Sequence, residues 1–317
     1  MPRAHTSIAP PVAAGAALFL LLGAGCARRA GDEAPPGGRE SVAWGAEPAR
    51  AAPGSAAQDP GAWRHSLLWD DGKAEFCAYE VTWARYGHAY AGRALLVLVK
   101  EPWAPDLDVK ADRPRPAGFD VLKLNHARDV PTGIYTYHQM ASIYLRRDTG
   151  ALRKVAATSS EACGISTAHM VRGQLETRSY FDGQGDHAMR WPSEALPEDG
   201  LPALLRDWVE AAPPPTLRIF PSLMMGRFVD LRPSIYRVSR SEARLVKVPA
   251  GVFSGVEIRL THDTSVLSYV FEASAPHRLL LFQRDDGTEY RLAKAERITY
   301  WTMHDPGGED WLPAATR

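Results

Sequence analysis

The sequence has no excess charge of either sign. Its 37 Lys and Arg balance 37 Asp and Glu, so no global field draws the chain to nucleic acid or anionic lipid. Asparagine is nearly missing, with Asn125 alone, and Lys is scarce beside Arg; both fit the codon bias of a GC-rich genome, not a function. Catalytic signatures are missing too. There is no His-Glu-x-x-His and no paired-Cys zinc motif, no Gly-x-Ser-x-Gly and no phosphate loop. The stretch "DGQGDHAM" matches Gly-x-Gly-x-x-Ala through Gly183, Gly185 and Ala188. A dinucleotide site would need a helix after it, and Trp191-Pro192 ends any helix within a turn, so the match reads as a β-turn. Asp182 and Asp186 lack EF-hand spacing and read as an Asx-turn. No cofactor is implied.

Long hydrophobic runs are also lacking. The one apolar segment, Ile8 to Leu22, is broken by Pro10 and Pro11 and falls short of the roughly 20 residues a membrane helix needs. With Arg3 ahead of it, it has the proportions of a secretory signal, residues 1–25. In "FLLLGAGCARRAGDEAPPGG" the run ends in small residues and Cys26. That arrangement resembles the lipobox of bacterial lipoproteins, which implies cleavage before Cys26 and acylation of its thiol. Gly23 stands where that pattern favours Leu, and the alternative is Ala-x-Ala-like cleavage releasing a soluble protein. Two or three acyl chains make a durable anchor. Ala27 rather than Asp after the cysteine implies, by analogy with enterobacterial lipoproteins, the outer membrane facing the periplasm. Residues 26–61 hold the lipidated cysteine and a tether of Ala, Gly, Pro, Arg and Glu, too poor in large apolar groups to offset ordering entropy.

From Trp63 the composition becomes that of a folded body, assigned to residues 62–306, with 307–317 as a C-terminal tail. It reads as strands. Cys77, Tyr79, Val81 and Trp83 alternate with polar or small residues, as do Leu122, Leu124 and His126, Tyr135 through Leu145, and Val256, Ile258 and Leu260. Period two with aromatic and β-branched residues marks half-buried strands. Gly87 and Gly92 suit a hairpin after the first strand, Asp148-Thr149-Gly150 a turn, and Asp286-Gly287 a primed turn between two long strands. One helix is predicted in "GLPALLRDWVEAA", stopped by Pro213 to Pro215. Short connections make neighbours antiparallel, and about ten strands must curl or close. The expected fold is mainly β: a large curved antiparallel sheet or half-barrel with one or two short helices, its concave face a place for a ligand.

Three stretches, "CAYEVTWARYGHAYAGRALLVL", "RLVKVPAGVFSGVEIRLTH" and "YVFEASAPHRLLLFQRDDGTEYRL", together resemble the opening, late and closing hairpins of a family of exported bacterial proteins or lipoproteins with a domain of unknown function. The resemblance implies fold and compartment only. Similar sequences are sometimes labelled septum formation inhibitor Maf. Maf proteins are nucleotide pyrophosphatases that start with Ser-x-Ser-Pro-Arg-Arg, and that motif is absent here.

If Cys26 carries lipid, Cys77 and Cys163 remain in an oxidising compartment, and a Cys77–Cys163 disulfide is expected; the alternative is that Cys77 is a buried apolar residue. His126 and His138 lie on adjacent predicted strands around "RDVPTG". With the turn centred near Thr132 they would oppose each other, about 5 Å apart at Cβ, where they could share a metal completed by His304, Asp305 or Glu309, or fill the sheet face. Filling the face is the preferred reading, so no metal is assigned, and His126, Tyr137, His138 and His304 stand as ligand or metal candidates. The expected function is a non-enzymatic envelope lipoprotein, bound to the membrane by its lipid, that carries an apolar small molecule in the concave face. The alternatives are a structural lipoprotein contacting another envelope protein, and a metal-dependent hydrolase using His126 and His138.

Overall fold

A computed structural model describes residues 59–113 and 115–312. The apolar run, Cys26 and the tether up to residue 58 lie outside the described residues, as do 313–317. Among the described residues no helix is long and apolar enough to cross a membrane.

A short helix, α1 (Ala62–His65), precedes the strands. The first group is β1 (Ala74–Arg85), β2 (His88–Ala104), β3 (Val109–Lys110), β4 (Phe119–Thr132), β5 (Tyr135–Arg146), β6 (Leu152–Glu161), β7 (Gly164–Val171), β8 (Gln174–Arg178) and β9 (His187–Arg190). After β10 (Ala195–Pro197) comes one helical segment with α2 (Leu201–Leu204) at its centre. The second group follows: β11 (Thr216–Phe220), β12 (Ser234–Arg240), β13 (Arg244–Val248), β14 (Gly251–His262), β15 (Ser265–Glu272), β16 (Leu279–Arg284) and β17 (Glu289–Ile298). All 17 belong to one open, curved sheet that does not close into a barrel. β1 sits at its middle, paired with β2 on one side and β17 on the other. Two meanders run outward from it, antiparallel throughout except where β10 pairs parallel with β11.

The strand faces follow the alternation of the sequence. Cys77, Tyr79, Val81 and Trp83 of β1, Leu122 and Leu124 of β4, and Ala141, Ile143 and Leu145 of β5 are all buried. The helical segment packs against β4 and β5 with Leu201, Ala203, Leu204 and Leu205 buried. The opposite face of β1 and β2 carries a smaller cluster, Ala74, Val97 and Val99. The segment read as a tail takes part there: Gly308–Trp311 forms a 3₁₀ turn, and Trp311 meets Phe76 edge-on at 4.9 Å.

Turn chemistry explains the connections. Tyr86 and Gly87 both have positive φ, 54° and 75°, and join β1 to β2 in a two-residue primed turn. The β16–β17 connection differs from the expected primed turn. Arg284 and Thr288 bond across Asp285-Asp286-Gly287, and Gly287 alone takes positive φ, at 92°. This is the three-residue loop with a left-handed glycine at its end.

The expected disulfide is not formed. Cys77 is buried, Cys163 is exposed, and both are free. Cys77 pairs with Leu96 and Ala295 at the middle of the sheet, whereas Cys163 sits in the turn after β6, the fourth strand away. Each strand step is about 4.8 Å, and a disulfide needs Cα atoms within about 7 Å.

Candidate functional site

The inward rows of β4, β5 and β6 change character along their length. β4 runs from Leu122 and Leu124 to His126 and Arg128; β5 runs from Leu145 and Ile143 to Gln139; β6 runs from Val155 and Ala157 to Ser159, and all of these are buried. Arg128 pairs in register with Gln139, and Gln139 with Ser159, so one polar row crosses three strands. Against this polar end lie two cavities that share Arg85 and Met225 in their walls.

The outer cavity is a cleft of about 560 Å³. Its walls come from strand ends and turns. The primed turn after β1 turns Tyr86 toward β5, where its hydroxyl lies 2.5 Å from that of Tyr137. Burial holds the Tyr137 phenol protonated, well above its ordinary range. The Arg85 guanidinium lies over the rings of Trp83, Tyr86 and Tyr137 at 5.4, 4.8 and 5.8 Å. On the far wall Tyr180 stacks near Phe181, with ring centres 4.1 Å apart. Gly164 permits this, because a Cβ there would come within 2.9 Å of the Tyr180 ring. The Tyr180 hydroxyl donates to Glu161 Oε1 at 2.6 Å. Arg227 lies over Phe181 at 4.2 Å. Cys163 stands at the rim, and its hydrogen bond to Glu161 raises the thiol above its ordinary value, which lowers its nucleophilicity at neutral pH.

The inner cavity, about 170 Å³, is more polar. Arg128 lies over the Trp83 ring at 4.5 Å. Its Nε donates to Gln139 Oε1 at 3.0 Å and its Nη1 to the Tyr290 hydroxyl at 3.2 Å. Gln139 Nε2 donates onward to Ser159 Oγ at 3.1 Å. His126 Nδ1 is 3.3 Å from the Asp199 carbonyl, and Nε2 is 3.3 Å from the Tyr290 hydroxyl. A carbonyl can only accept, so Nδ1 carries the hydrogen and Nε2 accepts from Tyr290. Burial first, and the Arg128 charge second, lower the His126 pKa to about 4, so the ring is neutral at neutral pH. The Asp199 carboxyl accepts from the Ser222 hydroxyl and the Leu223 N–H, yet burial raises its pKa to about 6. Arg284 is paired with Glu198.

Of the residues singled out in the sequence, the site takes in three: His126 lines the inner cavity and Tyr137 and Cys163 the outer one, whereas Cys77, on β1, lies in the core outside both. His138 is elsewhere. It is exposed, opposes Asp129 rather than His126, and its Nδ1 lies 2.7 Å from Asp129 Oδ1. The turn is the two-residue pair Gly133-Ile134, with Gly133 at φ 69° and Thr132 opposite Tyr135. Moving the centre from Thr132 to between Gly133 and Ile134 pairs His126 with Ala141. That odd offset puts the two histidines on opposite faces of the sheet, so they cannot share a metal. His304 is exposed near the C-terminal end of the body, its Nδ1 3.1 Å from the Trp301 carbonyl. Among the described residues no group of three or more His, Cys, Asp or Glu is placed to hold a metal ion.

Arg85, Arg128, Asp199, Tyr180 and Tyr290 were not singled out by sequence reasoning. One of them left a signal. Arg128 continues the inward row Leu122, Leu124, His126 and breaks its apolar pattern, and Gln139 does the same on β5. No protein-family model, curated protein or solved structure matches the chain.

Proposed function

We propose that the chain is a non-enzymatic lipoprotein of the cell envelope that holds a small, largely apolar molecule in the concave face of its sheet. The observation that carries this reading is the outer cleft, about 560 Å³ and walled by Tyr86, Tyr135, Tyr137, Tyr180 and Phe181. Small-ligand sites typically span about 300–1,000 Å³ and combine aromatic walls with a few polar groups. The short apolar run ending at Cys26, and the resemblance to an exported family, support the envelope and the lipid anchor. A structural role would call for a contiguous exposed patch. The most exposed apolar residues, Leu67, Ile134 and Leu245, instead lie in three different elements.

One observation favours a second reading, an acid–base enzyme. His126 and Asp199 converge on the inner cavity with their protonation displaced from ordinary values, as active-site groups often are. Binding is preferred because the one hydroxyl that meets the imidazole among the described residues is the Tyr290 phenol, which burial holds protonated above its ordinary range and which also accepts from Arg128, so no Ser, Thr or Cys is paired with His126 as a nucleophile.

The test uses N-phenyl-1-naphthylamine, a neutral dye that brightens on leaving water. Saturable binding is expected, and Cys163→Trp, which fills the cleft from an exposed turn, should abolish it without lowering the melting temperature. Binding unchanged by Cys163→Trp would contradict the reading.

A further inference from the structure

We propose that the ligand is an organic anion, with an apolar body between the tyrosines of the outer cleft and an acidic head of the carboxylate, sulfonate or phosphate class received by Arg128 and Arg85. This rests on the outer cleft being a binding site, and it adds the charge of what is bound.

Among the described residues Arg128 is a buried cation with no charged partner in contact. Its residue is 5% exposed, and a buried charge ordinarily has an opposite charge beside it. Every acceptor around this guanidinium is neutral: the Gln139 amide, the Tyr290 hydroxyl, the Met225 sulfur and the face of Trp83. Among the described residues no carboxylate lies within 4.0 Å of it, nor of Arg85 or Arg227 on the same cavities. Arg85 adds a buried Nε with no hydrogen-bond partner.

The acids nearby are committed elsewhere. Glu198 holds Arg284. The Asp199 carboxyl takes the Ser222 hydroxyl and the Leu223 N–H. Asp286 takes the Thr288 N–H, and Glu161 takes the Tyr180 hydroxyl. The neighbouring His126 ring is neutral, with Nδ1–H on the Asp199 carbonyl and Nε2 on the Tyr290 hydroxyl, so among the described residues no anion touches Arg128. A space of about 170 Å³ equals roughly five or six waters at about 30 Å³ each, room for an acidic head with its solvation partly kept. Arg85 and Met225 wall both cavities, so a head in the inner one and a body in the outer one would both lie against these two side chains. With Nε and Nη2 on Gln139 and Met225 and one Nη1 proton on Tyr290, the planar guanidinium keeps its other Nη1 proton for an oxyanion.

The experiment compares two dyes that differ by one sulfonate, 8-anilinonaphthalene-1-sulfonate and N-phenyl-1-naphthylamine. Both are titrated into the full chain carrying Cys26→Ala, so that no detergent competes. The sulfonated dye is expected to bind about tenfold tighter or more, the scale of one charge-assisted hydrogen bond. Arg128→Gln should remove that preference, read as the ratio of the two dyes' affinities within the same variant falling to about one. Arg85→Gln, at a half-buried position, gives the same readout if Arg128→Gln does not fold. Equal affinity for the two dyes in the parent chain, or a preference that survives both substitutions, would overturn the anionic head while leaving the cleft as a binding site. Failure of both dyes to bind would remove the binding reading itself, and the inference with it.

Discussion

His126 and Asp199 make opposite demands on stability, and the two can be separated by pH. His126 ordinarily titrates at 6.5 and in the fold at about 4. Between those values the unfolded chain binds a proton that the folded chain does not, so stability falls as pH drops through this window. At ~1.4 kcal/mol per pH unit, the whole window is worth about 3 kcal/mol. Asp199 ordinarily titrates at 3.8 and in the fold at about 6. There the folded chain binds the extra proton, so stability rises as pH drops, again by about 3 kcal/mol. Between about pH 4 and 6 the two nearly cancel in the parent protein. His126→Gln leaves only Asp199 and should gain about 3 kcal/mol relative to the parent on going from pH 6.5 to 4. Asp199→Asn leaves only His126 and should lose about as much relative to the parent. Urea unfolding followed by tryptophan fluorescence at several pH values measures each difference, and subtracting the parent curve removes the other carboxylates. Difference curves of the same sign, or flat ones, would refute the burial of these two groups.

Three further outcomes are expected. Cys26→Ala should release the protein from membranes and abolish palmitate labelling; labelling that persists would show that another residue is acylated. In that same chain Ellman's reagent should find one reactive thiol, Cys163, in the native protein and two after denaturation, and two from the start would contradict the burial of Cys77. Arg206 and Glu75 form an ion pair at 2.6 Å with side chains only 2% and 3% exposed. Arg206→Ala strands the Glu75 charge and should cost about 3–5 kcal/mol, seen as a melting temperature lower by about 6–20 °C for a body of this size, while the double replacement Arg206→Met with Glu75→Leu should cost clearly less.

The sheet was legible because its signal is local. Alternation along "CAYEVTW" and "IYTYHQMASIYL" needs no knowledge of neighbours to say which side chains face inward, and the burial of Tyr79, Trp83, Tyr137 and Ile143 follows it. Pro249-Ala250-Gly251 likewise carries its own turn: Val248 pairs with Gly251, whose φ is 141°. Register was less legible. Pro131-Thr132-Gly133 looks like the turn, but Thr132 remains in the strand and an apolar residue, Ile134, takes the fully exposed turn position. An odd error of register exchanges the faces of every residue beyond it, which is how His138 came to be set against His126. The site was least legible. The hydroxyl of Tyr290 reaches Arg128 across 162 positions of chain, and the cleft draws on turns after β1, β6 and β8. No spacing rule joins such residues. The lack of a counter-charge beside Arg128 is a property of what surrounds it, and only the break in the apolar row of β4 hinted at it.

The central claim is that the aromatic cleft on the concave face is where this protein holds a ligand. A crystal structure with N-phenyl-1-naphthylamine at saturating concentration tests it most directly. The dye's rings are expected between Tyr137 and Phe181, beside Met225 and Cys163. Dye bound only on the outer face of the sheet, or a cleft left empty at saturation, would contradict it.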